Sequence, residues 1–406
     1  MVALDVAAWS STELPVWLLA AVASFVVAAL AGWPARWLAR KVGAIDVPGG
    51  RHRHRQPTPR LGGLAVLGGV AVGGTAGMLL AAASHVEVAE RLPRLLAVLL
   101  VAGGVCLLGA VDDVRSLRPS RKLLGLAGAG VLIVLAGVRI EFLELPWLGK
   151  VALGPWAGCC TVLWVLACTN AVNLIDGVDG LGAGVVGSAC LALALLAYGM
   201  GDTASVVAFV AVGAASAGFL VHNREPARLF LGDSGSLLLG FLLAAISADG
   251  CTKRATATFL VAALLTLAVP LLDSTHAFLR RFRRAAAGCQ TARWWQRLRA
   301  TSVGDHEHVH HRLLGRGLSH RQVARHLCLG ALVPGTTALL LVPAGGIGLL
   351  TLFGCALASG VVLWRLFAMP RALKPTVAEA ERKLVMPSLP PRRKGEPAVG
   401  EPHQLV

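Results

Sequence analysis

Apolar stretches of about 20 residues, each long enough to cross a bilayer, recur along almost the whole chain and leave it few ways to fold. In hydrocarbon every backbone N–H and C=O needs an internal partner, so stretches of this kind are expected as helices. Eleven are read, at approximately 15–38, 61–83, 94–111, 122–139, 151–169, 181–200, 203–221, 235–250, 256–279, 323–343 and 345–367. Only 15% of the 406 residues are charged, where a soluble domain carries about 25%. The expected fold is all-α: a polytopic transmembrane helix bundle over residues 1–370, followed by a basic, Pro-rich tail, 371–406, that reads as disordered.

The net charge of +16 invites a nucleic-acid reading, but the basic residues gather in loops between spans. That is the pattern of the positive-inside rule. The loop around Arg36, Arg40, Lys41, Arg51, Arg53, Arg55 and Arg60 is placed in the cytoplasm, with the N-terminus outside and the C-terminus inside. No nucleic-acid partner is expected. The nine cysteines form no C-x-x-C pair, and most lie inside apolar runs as small hydrophobes.

Polar motifs interrupt this pattern only on the side assigned to the cytoplasm. Residues 170–181 read NAVNLIDGVDGL, flush between two spans. Carboxylates near hydrocarbon cost about 2.5 to 3.5 kcal/mol each on insertion scales, so their density here suggests metal coordination, proton transfer or an ion path. Were the stretch helical, Asn170, Asn173, Asp176 and Asp179 would share one face. Asp112 and Asp113 end the third span; adjacent carboxylates need a cation nearby, although an ordinary helix end in the headgroup zone would also explain them. Residues 230–236, FLGDSGS, offer Asp233 as an oxygen ligand or, equally, as a helix cap. DHEHVHH at 305–311 gathers His308, His310 and His311 beside Arg312, and its basic neighbours favour an anion over zinc. Residues 46–63, with four arginines and a Gly62-Gly63 pair, suit a phosphate-rich ligand.

Together these motifs resemble the polyprenyl-phosphate N-acetylhexosamine-1-phosphate transferases, glycosyltransferase family 4. The runs D-D-x-x-x-L, N-x-x-N-x-x-D-G-x-D-G-L and F-x-G-D-x-G-S occur in the family's order, with a late H-x-H-H, over residues 40 to 330. The His segment looks like the branch that uses N-acetylglucosamine 1-phosphate; the alternative is the phospho-MurNAc-pentapeptide transferase of peptidoglycan synthesis, and a more distant one a cation-coupled transporter. The resemblance implies a Mg²⁺-dependent enzyme, with Mn²⁺ as a substitute. It takes UDP-N-acetylhexosamine and undecaprenyl phosphate among membrane lipids, as a multi-pass protein of the bacterial plasma (inner) membrane with its active site facing the cytoplasm. A homodimer is compatible with it. By resemblance, Asn173 and Asp233 would ligate the metal. Asp112 and Asp113 would lie at the lipid phosphate, Asp112 keeping it deprotonated, and Asp176 near the diphosphate. Asp179 and Phe230 would line the uracil pocket, and His308, His310, His311 and Arg312 would hold sugar and diphosphate. Relatives often carry Arg-Lys where this chain has Arg51-His52, which leaves Arg53 or Arg55 for that role.

Overall fold

The computed structural model describes residues 13–47, 57–145, 149–250, 313–314, 318–319 and 321–329. Nine α-helices make up most of it: α1 Glu13–Val42, α2 Gly62–Gly69, α3 Thr75–Ser84, α4 Val86–Arg115, α5 Pro119–Leu135, α6 Ala157–Ile175, α7 Leu181–Gly199, α8 Thr203–Asn223 and α9 Gly232–Gly250. A π-turn, Val70–Gly74, joins α2 to α3 into one continuous span. The cause is local packing: Gly69 and Gly73 lie against Ser24 of α1 so closely that a Cβ on either would collide with it. Six described segments are long and apolar enough to cross a membrane: Pro15–Val42, Gly62–Ser84, Val86–Arg115, Gly154–Ile175, Leu181–Gly199 and Thr203–Asn223.

The centre is α9. Every residue from Ser234 to Gly250 is buried. A helix that is apolar or small-sided all round has no face to give to lipid, so it belongs inside the bundle. It packs against α4, α6 and α2, while α1 lies on α8 and α2, α7 lies on α8, and α5 bridges α4 and α6. Small residues set these approaches: a Cβ on Gly240 would stand 2.7 Å from Thr169, and one on Gly109 would run into the Asp233 carbonyl.

Successive helices alternate in direction, so the connections fall at two ends. One end gathers residues 43–47, 57–61, 116–118, 176–180 and 224–231, and includes the short antiparallel pair β1 (Ile45–Asp46) and β2 (Thr58–Pro59). The sorting of polar motifs to one side is therefore seen directly for those that are described; the His motif at 305–311 lies outside the described residues. The other end holds His85, the 200–202 turn and a hairpin of β3 (Phe142–Leu145) with β4 (Gly149–Ala152), paired Phe142↔Ala152 to Leu145↔Gly149.

Three expectations change. The all-α reading gives way to a mostly helical one, because the 139–151 connection pairs its own backbone groups as a hairpin. The third span begins at Val86 rather than near 94, and takes Arg91 into its buried face, where two carboxylates meet it. The NAVNLIDGVDGL stretch is not one helix: α6 stops at Ile175, and Asp176 and Asp179 sit in the turn beyond. The expected spans at 256–279 and 345–367, most of 323–343 and the tail at 371–406 lie outside the described residues.

Candidate active site

Asp112 and Asp113 are neighbours on the last turn of α4 and face different partners. Both oxygens of Asp113 are taken by the start of α9, accepting from the N–H of Asp233 at 2.8 Å and of Ser234 at 3.0 Å. The first N–H groups of a helix have no partner within it, and a carboxylate there also meets the positive end of the helix dipole. Gly232 makes the approach possible: its φ is +69°, and a Cβ would overlap the Asp113 carboxylate. Asp113 thus fixes where α9 begins.

Asp112 turns the other way. Its Oδ1 accepts from Leu117 N–H at 2.6 Å, closing the turn after α4, and its Oδ2 lies 3.1 Å from Lys122 Nζ. Lys122 stands in the first turn of α5, whose N1 position is Pro119. Its ammonium also meets Asp233 Oδ2 and Asn173 Oδ1, the latter at 3.3 Å. Asn173, from α6, donates to Asp233 Oδ1 at 2.9 Å and to Ser236 Oγ at 2.8 Å. The Asp112 and Asp233 carboxylates thus share the Lys122 ammonium. Oxygens from α4, α6 and α9 therefore converge on one cation from α5. The Asp233 side chain is 31% exposed, against 11% for Asp112, so the cluster opens on the Asp233 side.

Asp176 follows α6 directly. Burial, then the charge of Asp233, pushes its carboxyl up to about 7, against the opposing pull of the Gly182 N–H. Gly182 lies so close that a Cβ would stand 2.5 Å from Asp176 Oδ1. Asp179 accepts from Ala227 N–H at 3.0 Å and so ties the 176–180 turn to the 224–231 loop. Asn223 is a second tie: its Oδ1 accepts from Gly180 N–H at 2.9 Å and its Nδ2 donates to the Leu229 carbonyl at 3.0 Å. Gly180 takes φ +74°, a conformation that glycine adopts without strain. Phe230, half-buried, is held through its backbone, donating to Pro59 O at 2.8 Å and accepting from Gly62 N–H at 3.0 Å. Arg60, in the same early segment, pairs with Asp46 at 3.0 Å and also feels the charges of Asp113 and Asp233.

The structure thus joins Asp112, Asn173 and Asp233 in one cluster, with Asp113 bonded to its α9 side and Asp176 within its field. It sets Asp179 and Phe230 at the neighbouring loop. Arg55, His308, His310, His311 and Arg312 lie outside the described residues. The segment that follows the His motif does reach this end: Val323 and Leu327 pack with Ile175, Val178, Leu181 and Val185.

Two residues of the site escaped the sequence reading. Lys122 is given no role there. A signal existed: a lysine in the first turn of a helix opposes the helix dipole and calls for a compensating anion. Asn223 carries no comparable signal, since its partners lie 43 residues before it and 6 after it.

Known proteins are similar to this chain over most of its length. The model of "Glycosyl transferase family 4" matches residues 95–250, the stretch that contains Asp112, Asn173 and Asp233. A probable undecaprenyl-phosphate N-acetylglucosaminyl 1-phosphate transferase of Bacillus subtilis is 35% identical over 285 residues, covering 70% of this chain and 73% of the relative. A decaprenyl-phosphate N-acetylglucosaminephosphotransferase of Mycobacterium tuberculosis is 35% identical over 332 residues, 73% of this chain and 76% of its own. An undecaprenyl-phosphate alpha-N-acetylglucosaminyl 1-phosphate transferase of Escherichia coli is 27% identical over 305 residues, with 73% and 76% covered.

Proposed function

The chain belongs to glycosyl transferase family 4, and from that premise we propose that it transfers N-acetylglucosamine 1-phosphate from its UDP donor to a polyprenyl phosphate. The observation that carries the proposal is the convergence of Asp112, Asn173 and Asp233 on Lys122 at the ends of apolar helices. An anionic, water-soluble donor and an acceptor with a hydrocarbon tail can meet only where aqueous loops and lipid-facing helices share a border. In the reaction an acceptor phosphate oxygen forms a bond to the donor's β-phosphorus, and the bond from that phosphorus to the UMP oxygen breaks. Nucleophile and target are both anionic, so positioning and charge neutralisation supply most of the rate.

The residues divide that work. Lys122 offers a positive charge that phosphate oxygens would share with Asp112 and Asp233. Asp112, fixed by Leu117 N–H, presents a carboxylate oxygen that would take the acceptor phosphate's proton and so keep it deprotonated. Asp113 acts through α9, setting the position of Asp233. Asp179 and Asn223 hold the loop before Phe230 in the place where a base would lie.

A divalent cation fits this donor set. Asn173 and Asp233 present hard oxygens to a common point beside the Lys122 ammonium. Among the described residues no three His, Cys, Asp or Glu side chains form a complete ligand group. A partial shell of that kind suits Mg²⁺, which usually takes one or two carboxylates and completes its octahedron with water and substrate phosphates. Bound there, it would polarise the diphosphate and stabilise the departing UMP.

We further place the site on the cytoplasmic face of a bacterial plasma membrane, on the strength of the basic loops at that end. The test uses purified full-length protein with undecaprenyl phosphate, Mg²⁺ and labelled UDP-N-acetylglucosamine, with and without EDTA. Lipid-linked diphosphate sugar and UMP, both lost with EDTA, are expected. Product only from the UDP-muramyl-pentapeptide donor would move the chain to the peptidoglycan reaction.

A further inference from the structure

A second cluster of cations lies on the other flank of the same end. Arg36 and Arg40 are four residues apart on α1 and share a face. Arg228 reaches them from the loop before α9. That loop is anchored to α1 through His222: Arg228 N–H donates to the His222 carbonyl at 2.8 Å, and His222 Nε2 meets the Ala29 carbonyl at 2.7 Å. The imidazole also stands edge-on to Trp33 at 4.9 Å, over Gly32, where a Cβ would collide with it. This seating fixes the loop against α1.

The cluster is unbalanced. Arg40 and Arg228 both lie near enough to act on the Arg36 charge, and both are positive. Among the described residues no carboxylate pairs with any of the three, and Arg36 Nε is buried without a hydrogen-bond partner. Snorkelling to the headgroups would explain a single arginine at a helix end. It does not explain an arginine from a distant loop held beside two others, with a buried donor left over. Such an arrangement wants an anion with several acceptor oxygens.

The surroundings say what carries that anion. Val22, Val26, Leu30, Trp33 and Trp37 are exposed at helical spacing along α1 and lead up to Arg40. An apolar stripe ending in two tryptophans and then arginines is the profile of one lipid leaflet, from acyl chain to headgroup. We infer that Arg36, Arg40 and Arg228 form a binding site for the phosphodiester of an anionic glycerophospholipid whose acyl chain lies along the α1 stripe. The site is separate from the Lys122 cluster and bears on how the enzyme sits in its membrane rather than on transfer.

The test is native mass spectrometry of the full-length protein, titrated with phosphatidylglycerol, phosphatidylcholine or inorganic phosphate, for wild type, Arg40→Gln and Arg36→Gln/Arg228→Gln. The wild type should prefer phosphatidylglycerol, with a preference that falls about fivefold per arginine removed. The KM for polyprenyl phosphate should not change. Arg40 is exposed, so its variant tests the site even if the double variant does not fold. A preference that survives both variants, equal binding of phosphatidylcholine, or inorganic phosphate binding as well as the lipid would overturn the inference. A KM for polyprenyl phosphate that rises with the loss would overturn it too, and assign the cluster to the acceptor.

Discussion

The helix α4 carries one charge cluster at each end, and the two are built from similar parts with opposite results. Near its start, Arg91 faces Asp202 and Asp249; near its finish, Lys122 faces Asp112 and Asp233. The 21 residue steps from Arg91 to Asp112 separate the clusters by about 30 Å along the helix. Arg91 spends its guanidinium fully: Nε and Nη2 on Asp249, Nη1 on Asp202 at 2.6 Å, and Nη2 also on Ser205 at 3.2 Å. Asp202 in turn caps α8 by accepting from Ser205 N–H at 3.0 Å. The Arg91 side chain is 7% exposed and that of Asp249 0%. This is a buried knot tying α4, α8 and α9.

The Lys122 cluster is open instead. Its lysine is a point charge on a flexible stem, and its most accessible carboxylate keeps nearly a third of its surface. A planar guanidinium with a matched set of acceptors makes structure. A single ammonium on a flexible stem, beside a partly exposed carboxylate, leaves room for phosphate and metal.

The comparison can be broken or sharpened at four points. The largest effect is expected from Asp233→Asn, which keeps the shape and removes the charge. Turnover should fall about a thousandfold or more, with the yield of folded protein unchanged, in an assay of UMP release. Near wild-type turnover would remove Asp233 from the chemistry. Arg91→Leu should do the reverse. It strands the buried Asp249 and should cost about 3 to 5 kcal/mol of stability, seen as a lower Tm, while the folded fraction turns over normally. Adding Asp249→Leu should restore much of the loss, because an apolar pair needs no partner.

Next comes Lys122→Met, expected to lower turnover about a hundredfold with little change in Tm, since Asp233 keeps access to water. A collapse in Tm comparable to that of Arg91→Leu would mean that both clusters are structural. The smallest effect belongs to Asn223→Ala. Leaving the Gly180 N–H and the Leu229 carbonyl without their partner should cost about 2 kcal/mol, and should raise the KM for the UDP donor more than it lowers kcat. An unchanged KM would show that this tie does not shape the nucleotide pocket.

Much of the open cluster was legible in the linear chain. Asp112, Asn173 and Asp233 each stand in a motif dense in polar groups between apolar runs, and polarity in such a place has few bland explanations. Their neighbours were harder. Asp113 looked like the twin of Asp112, yet adjacent residues on a helix point about 100° apart, and the partner that decides Asp113 begins 120 residues later. Arg91 fell outside the expected third span, 94–111, because a hydropathy window penalises an arginine without knowing that Asp202 and Asp249 will neutralise it.

The sequence by itself determined a bundle of membrane-length helices, the side on which its polar motifs gather, and the family to which the chain belongs. All of these rest on composition and short-range pattern, which survive without any knowledge of contacts. Only the tertiary structure decided which carboxylates face a cation and which cap a helix, that Lys122 joins four helices' worth of chemistry, and that the hairpin interrupts the all-helical plan. The contacts of Lys122 with Asn173 and of Arg91 with Asp249 join residues 51 and 158 apart in the chain. Their geometry is set by how closely α9 and its glycines let the other helices approach, and no local propensity encodes that distance.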